Sequence, residues 1–183
     1  AASDVYKRQL YGFERFIYQF ISDNYPEDQI EFDISKIKLV TIDIETKSEN
    51  GFPDVESASE EILLVTIQDY TTKEIITWGT KSFNNTHDNV DYRLCNDEHH
   101  LLNSFIQWWI ENTPDVVTGW NCEFFDIPYI TGRLNRVLGS KLMKRLSPWG
   151  LVTQSDIVVR GRKNFIVDIG GVSVLDYMRL YKW

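Results

Sequence analysis

Residues 38–46 constrain the fold most, because strand-forming side chains there flank two carboxylates at alternate positions. β-Branched and apolar residues fill most of this run, which is typical of a β-strand. Side chains two positions apart on a strand share a face, so Asp43 and Glu45 converge while Ile42 and Ile44 point the other way. Apolar neighbours on both sides favour a central strand over a solvent-facing pair on an edge strand.

Two carboxylates on one buried strand face repel each other and lose hydration unless a cation lies between them. A hard divalent cation such as Mg²⁺ prefers carboxylate and water oxygens, so the pair predicts a metal site. A third carboxylate, Asp126, opens a predicted helix with Pro128 in its first turn. Aspartate at a helix start is usually a cap, so Asp126 alone does not indicate a site.

The remaining pattern predicts an α/β domain with a mixed sheet. Helices are expected over 97–112, capped by Asn96 or Asp97, and over 126–139, ending at Gly139. Further strands are expected at 62–70, 74–78 and 116–120, with a polar turn at 71–73 that favours an antiparallel hairpin. A second hairpin is expected over 156–167, with a basic tip at 160–164. Residues 1–36 are expected to be a peripheral segment; periodicity leaves the aromatic stretch 11–20 undecided between helix and strand.

Length and composition limit the function classes. A chain of 183 residues is about one domain, and no apolar run approaches the roughly 18 residues that span a bilayer. The two cysteines, Cys95 and Cys122, have neither zinc nor disulfide spacing and no obvious base to activate a thiol. We therefore expect a cytoplasmic protein without a membrane partner.

The net charge of −8 hides an asymmetry. Residues 127–163 carry eight basic side chains and one acid, a charge of +7, against −15 for the rest of the chain. Such a segment suits a phosphate-tracking surface beside a metal pocket. On charge alone, a solvated helix and loop rich in Lys and Arg is the favoured interpretation.

Two other clusters are weaker candidates. Residues 97–100, with two adjacent histidines, predict a solvated first helical turn rather than a metal cluster, because adjacent side chains on a helix point to different sides. The tryptophans Trp108, Trp109 and Trp120 are expected in the core rather than as a base-stacking platform.

The motifs resemble those of a known family. Asp43-Ile44-Glu45-Thr46 resembles the first motif of the DEDD nucleases, and residues 118–129 resemble the second motif of family B DNA polymerases. Gly51-Phe52-Pro53, residues 144–148, 173–177 and 180–182 are similar to the replicative polymerases of T-even-like bacteriophages. The resemblance covers residues 13–183 and implies an RNase H-like mixed sheet flanked by helices, with an added β-hairpin. The implied function is proofreading 3′→5′ exonuclease activity during DNA replication.

The resemblance also implies the chemistry of the site. Two divalent ions, Mg²⁺ or Mn²⁺, lie about 4 Å apart in such centres. Asp43 would bridge both ions, Glu45 would bind one, and Asp126 would help to hold the second. One ion activates the attacking water and the other stabilises the leaving 3′-oxygen.

The same resemblance suggests DNA-binding residues. Phe52 would stack on bases near a frayed 3′ end, Phe125 would also bind DNA, and Asn121 would lie near the terminal nucleotide. The basic hairpin would contribute Arg160, Arg162 and Lys163. The alternative for Phe52 is a buried loop aromatic, that for Asn121 is capping or turn formation, and that for 156–167 is a plain surface hairpin.

The family's third motif, Tyr-x-x-x-Asp, does not occur in this sequence. Residues 37–183 are therefore expected to be a C-terminally truncated exonuclease domain that binds metal weakly and cleaves poorly. Expected partners are a single-stranded 3′ end of DNA, the other polymerase domains and, through them, a sliding clamp, in the cytoplasm of a bacterial host. The alternatives are a free-standing DEDD exonuclease and a non-catalytic strand-binding module.

Overall fold

A computed structural model describes residues 16–25, 31–49, 51–159 and 161–182, with the backbone alone at Phe16, Ile17, Arg162, Leu180 and Lys182. It divides into two compact units, residues 1–34 and 35–183. In the first unit, helix α1 (Phe16–Asn24) shows that the described part of the aromatic stretch is helical. Residues 11–15 of that stretch, and 26–28 of the turn predicted after it, lie outside the described residues.

The second unit is built on eight described strands: β1 (Leu39–Thr46), β2 (Ile62–Asp69), β3 (Ile75–Gly79), β4 (Val90–Leu94), β5 (Val116–Gly119), β6 (Val152–Val159), β7 (Arg162–Ile169) and β8 (Ser173–Asp176). Six form one sheet in the order β4-β3-β2-β1-β5-β8. The pairs β1–β2 and β2–β3 are antiparallel, whereas β3–β4, β1–β5 and β5–β8 are parallel. The predicted central strand and mixed sheet are confirmed.

The described helices of this unit are α2 (Glu98–Glu111), α3 (Asp126–Leu138) and α4 (Ser140–Met143), with 3-10 helices at Ile34–Lys36, Lys144–Leu146 and Tyr177–Lys182. Asp97 caps α2 through its side chain, and α3 ends at Gly139, whose φ of +87° favours glycine, both as predicted. None of the helices in the described ranges is long and apolar enough to cross a bilayer.

The core lies on one face of the sheet, where α2 packs on β2 and β3 and α3 packs on β1. Alternate residues of β1, namely Val40, Ile42 and Ile44, are buried on that face. Leu101, Leu102 and Phe105 of α2 meet them fully buried, as the helical periodicity predicts. The other set of β1 side chains, Thr41, Asp43 and Glu45, therefore points away from this core.

The second hairpin differs from its prediction at the tip. Strands β6 and β7 form their own two-stranded sheet, and the pairing runs up to Val159 opposite Arg162. Arg162, Lys163 and Asn164 thus belong to the strand rather than to a five-residue tip. Gly161, directly before Arg162, has a positive φ of 75°, a conformation that glycine adopts readily in tight hairpin turns.

The first turn of α2 is solvated at Asp97, His99 and His100, as the sequence indicated, but not at Glu98. Glu98 is only 8% exposed and forms a buried ion pair with Arg133 of α3. Arg133 is consequently not part of a basic surface, because its guanidinium is directed inward to Glu98. Strand β4 and helix α4 were not predicted; both are short, and β4 is an edge strand with little apolar periodicity.

Candidate active site

The site begins with the strand face that carries Asp43 and Glu45. The structure brings both carboxylates to one face of β1, as predicted, but that face is open and both side chains are exposed. The expectation of a buried face was wrong, because α2 and α3 cover only the side that carries Ile42 and Ile44. Partial burial still raises the pKa of Asp43 above its ordinary value.

Asp126 reaches this strand from the start of α3. Its Oδ1 accepts a hydrogen bond of 3.0 Å from the backbone N–H of Ile44, between Asp43 and Glu45 in the chain. The N–H is free of a strand partner because β5 pairs with β1 only as far as Thr41. The helix cap is Phe125, so Asp126 is not the simple cap that its position at a helix start suggested.

Burial raises the pKa of Asp126 to about 7. The side chain is 3% exposed, and desolvation disfavours its charged form. The hydrogen bond from Ile44 opposes this shift, whereas the negative charges of Asp43 and Asp176 add to it. A buried carboxylate that neighbouring negative charges disfavour would be stabilised by a nearby cation.

The donor chemistry fits a hard divalent ion, since every candidate ligand is a carboxylate oxygen. Within the described residues, however, no three His, Cys, Asp or Glu side chains converge closely enough to hold a metal ion. Asp126 is anchored in the plane of the sheet, whereas Asp43 and Glu45 stand on its open face. A complete metal site would therefore need a further ligand or an adjustment of these side chains.

The turn that leads into α3 holds the backbone of Asn121 in the left-handed region, with φ of 63°. Asn121 O accepts hydrogen bonds from the N–H groups of Phe124 and Phe125, at 3.1 and 2.9 Å. The turn-forming alternative for Asn121 is therefore observed in its backbone. The residue lies five positions before Asp126, on the same loop.

Two aromatic side chains lie close to this loop. Phe52 is 80% exposed, so the alternative of a buried loop aromatic was wrong. Its ring packs on Phe125 with 4.9 Å between centroids. Beside it, a groove of about 380 Å³ runs between the loop at 52–56 and the hairpin, with Phe124, Lys163 and Phe165 in its walls. An exposed ring at the rim of a groove is placed to stack on an unpaired base.

The basic residues of the hairpin are only partly described. Arg160 lies outside the described residues, and only the backbone of Arg162 is described. Lys163 borders the groove and forms a salt bridge of 3.0 Å with Asp156 on the paired strand. Of the three predicted basic contacts, Lys163 is therefore the one that the structure locates beside Phe52.

The tryptophans and cysteines divide between core and surface. Trp109 is fully buried and Trp108 partly buried, as predicted. Trp120 is 52% exposed and contacts Tyr177 and Tyr181, so its assignment to the core was wrong. Both cysteines are buried, and desolvation raises the pKa of Cys122 to about 12, which leaves no reactive thiolate.

One residue of the loop's surroundings was not singled out from the sequence. Asp176, at the end of β8, is 7% exposed, and its carboxylate accepts hydrogen bonds from the backbone of Asn121 and Glu123. Three residues later, Arg179 forms an ion pair of 2.5 Å with Glu123. Asp176 lies within residues 173–177, which resemble the phage polymerases, but the resemblance assigned it no role.

Comparison with known proteins identifies the family. The family model for the exonuclease domain of family B DNA polymerases matches residues 14–183. The DNA-directed DNA polymerase of Enterobacteria phage T4 is 31% identical and that of Escherichia phage RB69 is 29% identical, each over 93% of this chain and 22% of the relative. A DNA polymerase of Thermococcus litoralis is 30% identical over 59% of the chain and 6% of its own length.

The chain thus spans about a fifth of the length of its phage relatives, and the matched region contains both carboxylate motifs. The mixed sheet with flanking helices agrees with the RNase H-like fold that the resemblance implied. The exonuclease domains of this family use divalent metal ions. The chain belongs to the 3′→5′ exonuclease domains of the family B DNA polymerases.

Proposed function

We propose that this domain proofreads DNA synthesis by hydrolysing mispaired 3′-terminal nucleotides, as part of a longer DNA polymerase. The observation that carries the proposal is the anchoring of Asp126 to Ile44, which attaches a carboxylate from α3 to the strand that bears Asp43 and Glu45. Three carboxylates from two elements then lie around one strand end. A module that only binds DNA would gain nothing from a buried carboxylate held close to the negative charge of Asp43.

Asp43, Glu45 and Asp126 are the proposed ligands of two divalent ions, Mg²⁺ or Mn²⁺. When bound, such ions lower the pKa of a water and stabilise the leaving 3′-oxygen. The side chains contribute differently: Asp126 is fixed by its hydrogen bond, whereas Asp43 and Glu45 are exposed to an incoming strand. We also propose that the carboxylate of the family's third motif completes the ligand set.

The aromatic pair Phe52 and Phe125 is the proposed binding site for the last bases of a frayed 3′ end. Stacking on an exposed ring is worth about 1–3 kcal/mol per base and tolerates any sequence. Asn121 is the proposed contact to the terminal nucleotide. Arg160, Arg162 and Lys163 of the hairpin are the proposed contacts to the DNA backbone, where their positive charges would neutralise phosphates.

The wider context is proposed from the relatives. These are phage DNA polymerases of about five times this length, which supports further polymerase domains as partners. Residues 37–183 are the proposed exonuclease domain and residues 1–36 the proposed part of a neighbouring region, although the family model begins at residue 14. A sliding clamp would act through those domains. The phage relatives also support a location in the cytoplasm of a bacterial host.

The proposal is tested with a 5′-labelled single-stranded oligonucleotide and Mn²⁺, using this chain and a version extended through the third motif. The extended protein is expected to give a 3′-end ladder that Asp43→Ala abolishes. Asp88→Ala, at an exposed loop position, is the matched control and is expected to cleave like the parent. Phe52→Ala is expected to raise KM for the single strand by about tenfold and to leave kcat nearly unchanged.

The outcome that refutes the proposal is a folded extended protein that binds the oligonucleotide without cleaving it. Titration calorimetry with Mn²⁺ gives an independent measure. Heat of binding that disappears in Asp43→Ala supports metal ligation, whereas identical titrations of the two proteins contradict it.

A further inference from the structure

The end of β8 places a buried carboxylate beside the loop that precedes Asp126. Asp176 Oδ1 accepts from the N–H of Asn121 at 3.0 Å and from that of Met178 at 2.9 Å. Its Oδ2 accepts from the N–H of Glu123 at 3.4 Å. One buried carboxylate therefore satisfies two backbone donors of the loop and one of its own segment, and hydrogen bonds to an ionised acceptor are the stronger kind.

The loop needs such a partner, because its conformation is not one that the sequence favours by itself. Asn121 has a φ of 63°, in the left-handed region. Gly119, two residues earlier at the end of β5, lies so close to β1 that a Cβ would be 2.7 Å from the carbonyl oxygen of Ile42. The loop is thus pressed against the strand that carries Asp43, in a conformation that external hydrogen bonds must hold.

The same loop determines where α3 begins. Asn121 O accepts from the N–H of Phe125 at 2.9 Å, and Cys122 O accepts from that of Ile127 at 3.0 Å. These bonds fix the backbone on either side of Asp126, whose carboxylate then meets the N–H of Ile44. A continuous chain of hydrogen bonds therefore links Asp176, through the loop, to the strand between Asp43 and Glu45.

The segment after Asp176 contacts the loop at further points. Arg179 pairs with Glu123 at 2.5 Å and lies over the ring of Phe124 at 5.5 Å. The ring of Tyr177 packs on Trp120 with 5.6 Å between centroids. Contacts from two residues of one short segment to three residues of one loop, in addition to those of Asp176, indicate a dedicated support rather than a single incidental hydrogen bond.

We infer that Asp176 is a positioning residue of the exonuclease centre, which fixes the loop 120–125 and through it the carboxylate of Asp126 against Ile44. The functional consequence rests on the proposed function, whereas the structural link can be tested without it. Asp176 is not itself a proposed metal ligand, because its two oxygens are directed to backbone N–H groups of the loop and of Met178.

The test is amide hydrogen exchange, measured by NMR, in Asp176→Asn. An asparagine of the same shape has one acceptor oxygen, so it can accept from the N–H of Asn121 or from that of Glu123 but not from both, and its NH2 group then faces the other N–H. We expect the exchange rate of the Ile44 amide to rise by about tenfold or more, although Ile44 does not contact Asp176. The amide of Cys95, which donates to Gly79 O at 2.8 Å across the opposite edge of the sheet, should change much less.

Thr118→Val is the matched control, since Thr118 Oγ1 donates to Leu175 O at 2.6 Å within the same strand pair. It weakens β5–β8 without touching the loop, so the Ile44 amide should keep its protection. Equal exchange of Ile44 in Asp176→Asn and in the parent overturns the inference. An equal rise in the exchange rates of the Ile44 and Cys95 amides also overturns it, because it would mean general destabilisation.

If Asp176→Asn does not fold, Arg179→Met tests the same segment. We expect this variant to raise the exchange rate of the Ile44 amide selectively, by about threefold. An unchanged rate would overturn the inference.

The functional consequence has its own measurement. In the extended protein, Asp176→Asn is expected to raise the Mn²⁺ concentration for half-maximal cleavage by about tenfold, and Thr118→Val to leave it unchanged. Unchanged metal dependence in Asp176→Asn, with active parent protein, contradicts the positioning role. If the parent does not cleave at all, the proposed function fails, and the exchange of Ile44 still decides whether Asp176 fixes the loop.

Discussion

The buried pair of Glu98 and Arg133 offers the sharpest test of how this fold is held together. Arg133 Nε donates to Glu98 Oε1 at 2.7 Å, and Arg133 Nη2 pairs with Glu98 Oε2. Arg133 Nη1 also donates to Ala58 O at 2.9 Å and to Ser59 O at 3.1 Å. Glu98 Oε1 accepts from the N–H of Ile62 at 2.8 Å, so the pair joins α2, α3 and the start of β2.

The perturbation is Glu98→Gln, which keeps the size of the side chain and removes its charge. Arg133 then stays buried without a counter-ion, and breaking a buried pair in this way costs about 3–5 kcal/mol. With a urea dependence of about 2 kcal/mol per molar for a domain of this size, the unfolding midpoint should fall by about 1.5–2.5 M. The double variant Glu98→Leu/Arg133→Met should recover only part of this loss, because Ile62 N and Ala58 O lose their partners.

The assay is urea unfolding followed by the fluorescence of the buried tryptophans, Trp78 and Trp109. Lys47→Ala is the matched control, because it breaks the surface pair of Lys47 and Glu61, whose nitrogen and oxygen lie 2.7 Å apart. Both of those side chains are more than two-fifths exposed, so the midpoint should stay close to that of the parent. A Glu98→Gln midpoint as close to the parent as that of Lys47→Ala would refute the reasoning.

Two further predictions concern the site. Burial raises the pKa of Asp126 from its ordinary 3.8 to about 7, so the folded state holds the proton more tightly than the unfolded chain. The free energy of unfolding, without metal, should therefore fall by about 3 kcal/mol between pH 4 and pH 7 relative to Asp126→Asn. Parallel pH profiles of the two proteins in urea titrations would contradict this. Gly119→Ala should destabilise the fold by about 1–3 kcal/mol, because its Cβ would lie 2.7 Å from Ile42 O, a backbone atom that cannot move aside easily. An unchanged urea midpoint would show that the loop can shift.

The local sequence pattern was enough to predict the helices and strands that have strong periodicity. Strand β1, the hairpin of β2 and β3, and the ends of α2 and α3 follow from side-chain alternation, helical spacing and caps, all of which act within a few residues. The same local logic failed for β4 and for the tip of the second hairpin. These are short elements whose pairing depends on a neighbouring strand rather than on their own sequence.

The candidate site also combines features that the sequence predicts with features that tertiary packing decides. Alternation along one strand determined that Asp43 and Glu45 share a face, because that periodicity is a property of the extended backbone. Tertiary packing decided which face of β1 the helices cover. They cover the face of Ile42 and Ile44, so the two carboxylates are exposed rather than buried.

The sequence by itself determined the family motifs, the central strand and the helix that starts at Asp126. Only the tertiary structure decided what the buried carboxylates bind. Asp126 accepts a hydrogen bond from the Ile44 N–H, Asp176 accepts one from the N–H of Asn121 in the loop, and Glu98 forms an ion pair with Arg133. Their partners lie 82, 55 and 35 residues away along the chain. Contacts over such separations arise from the packing of whole elements, and no local pattern encodes them.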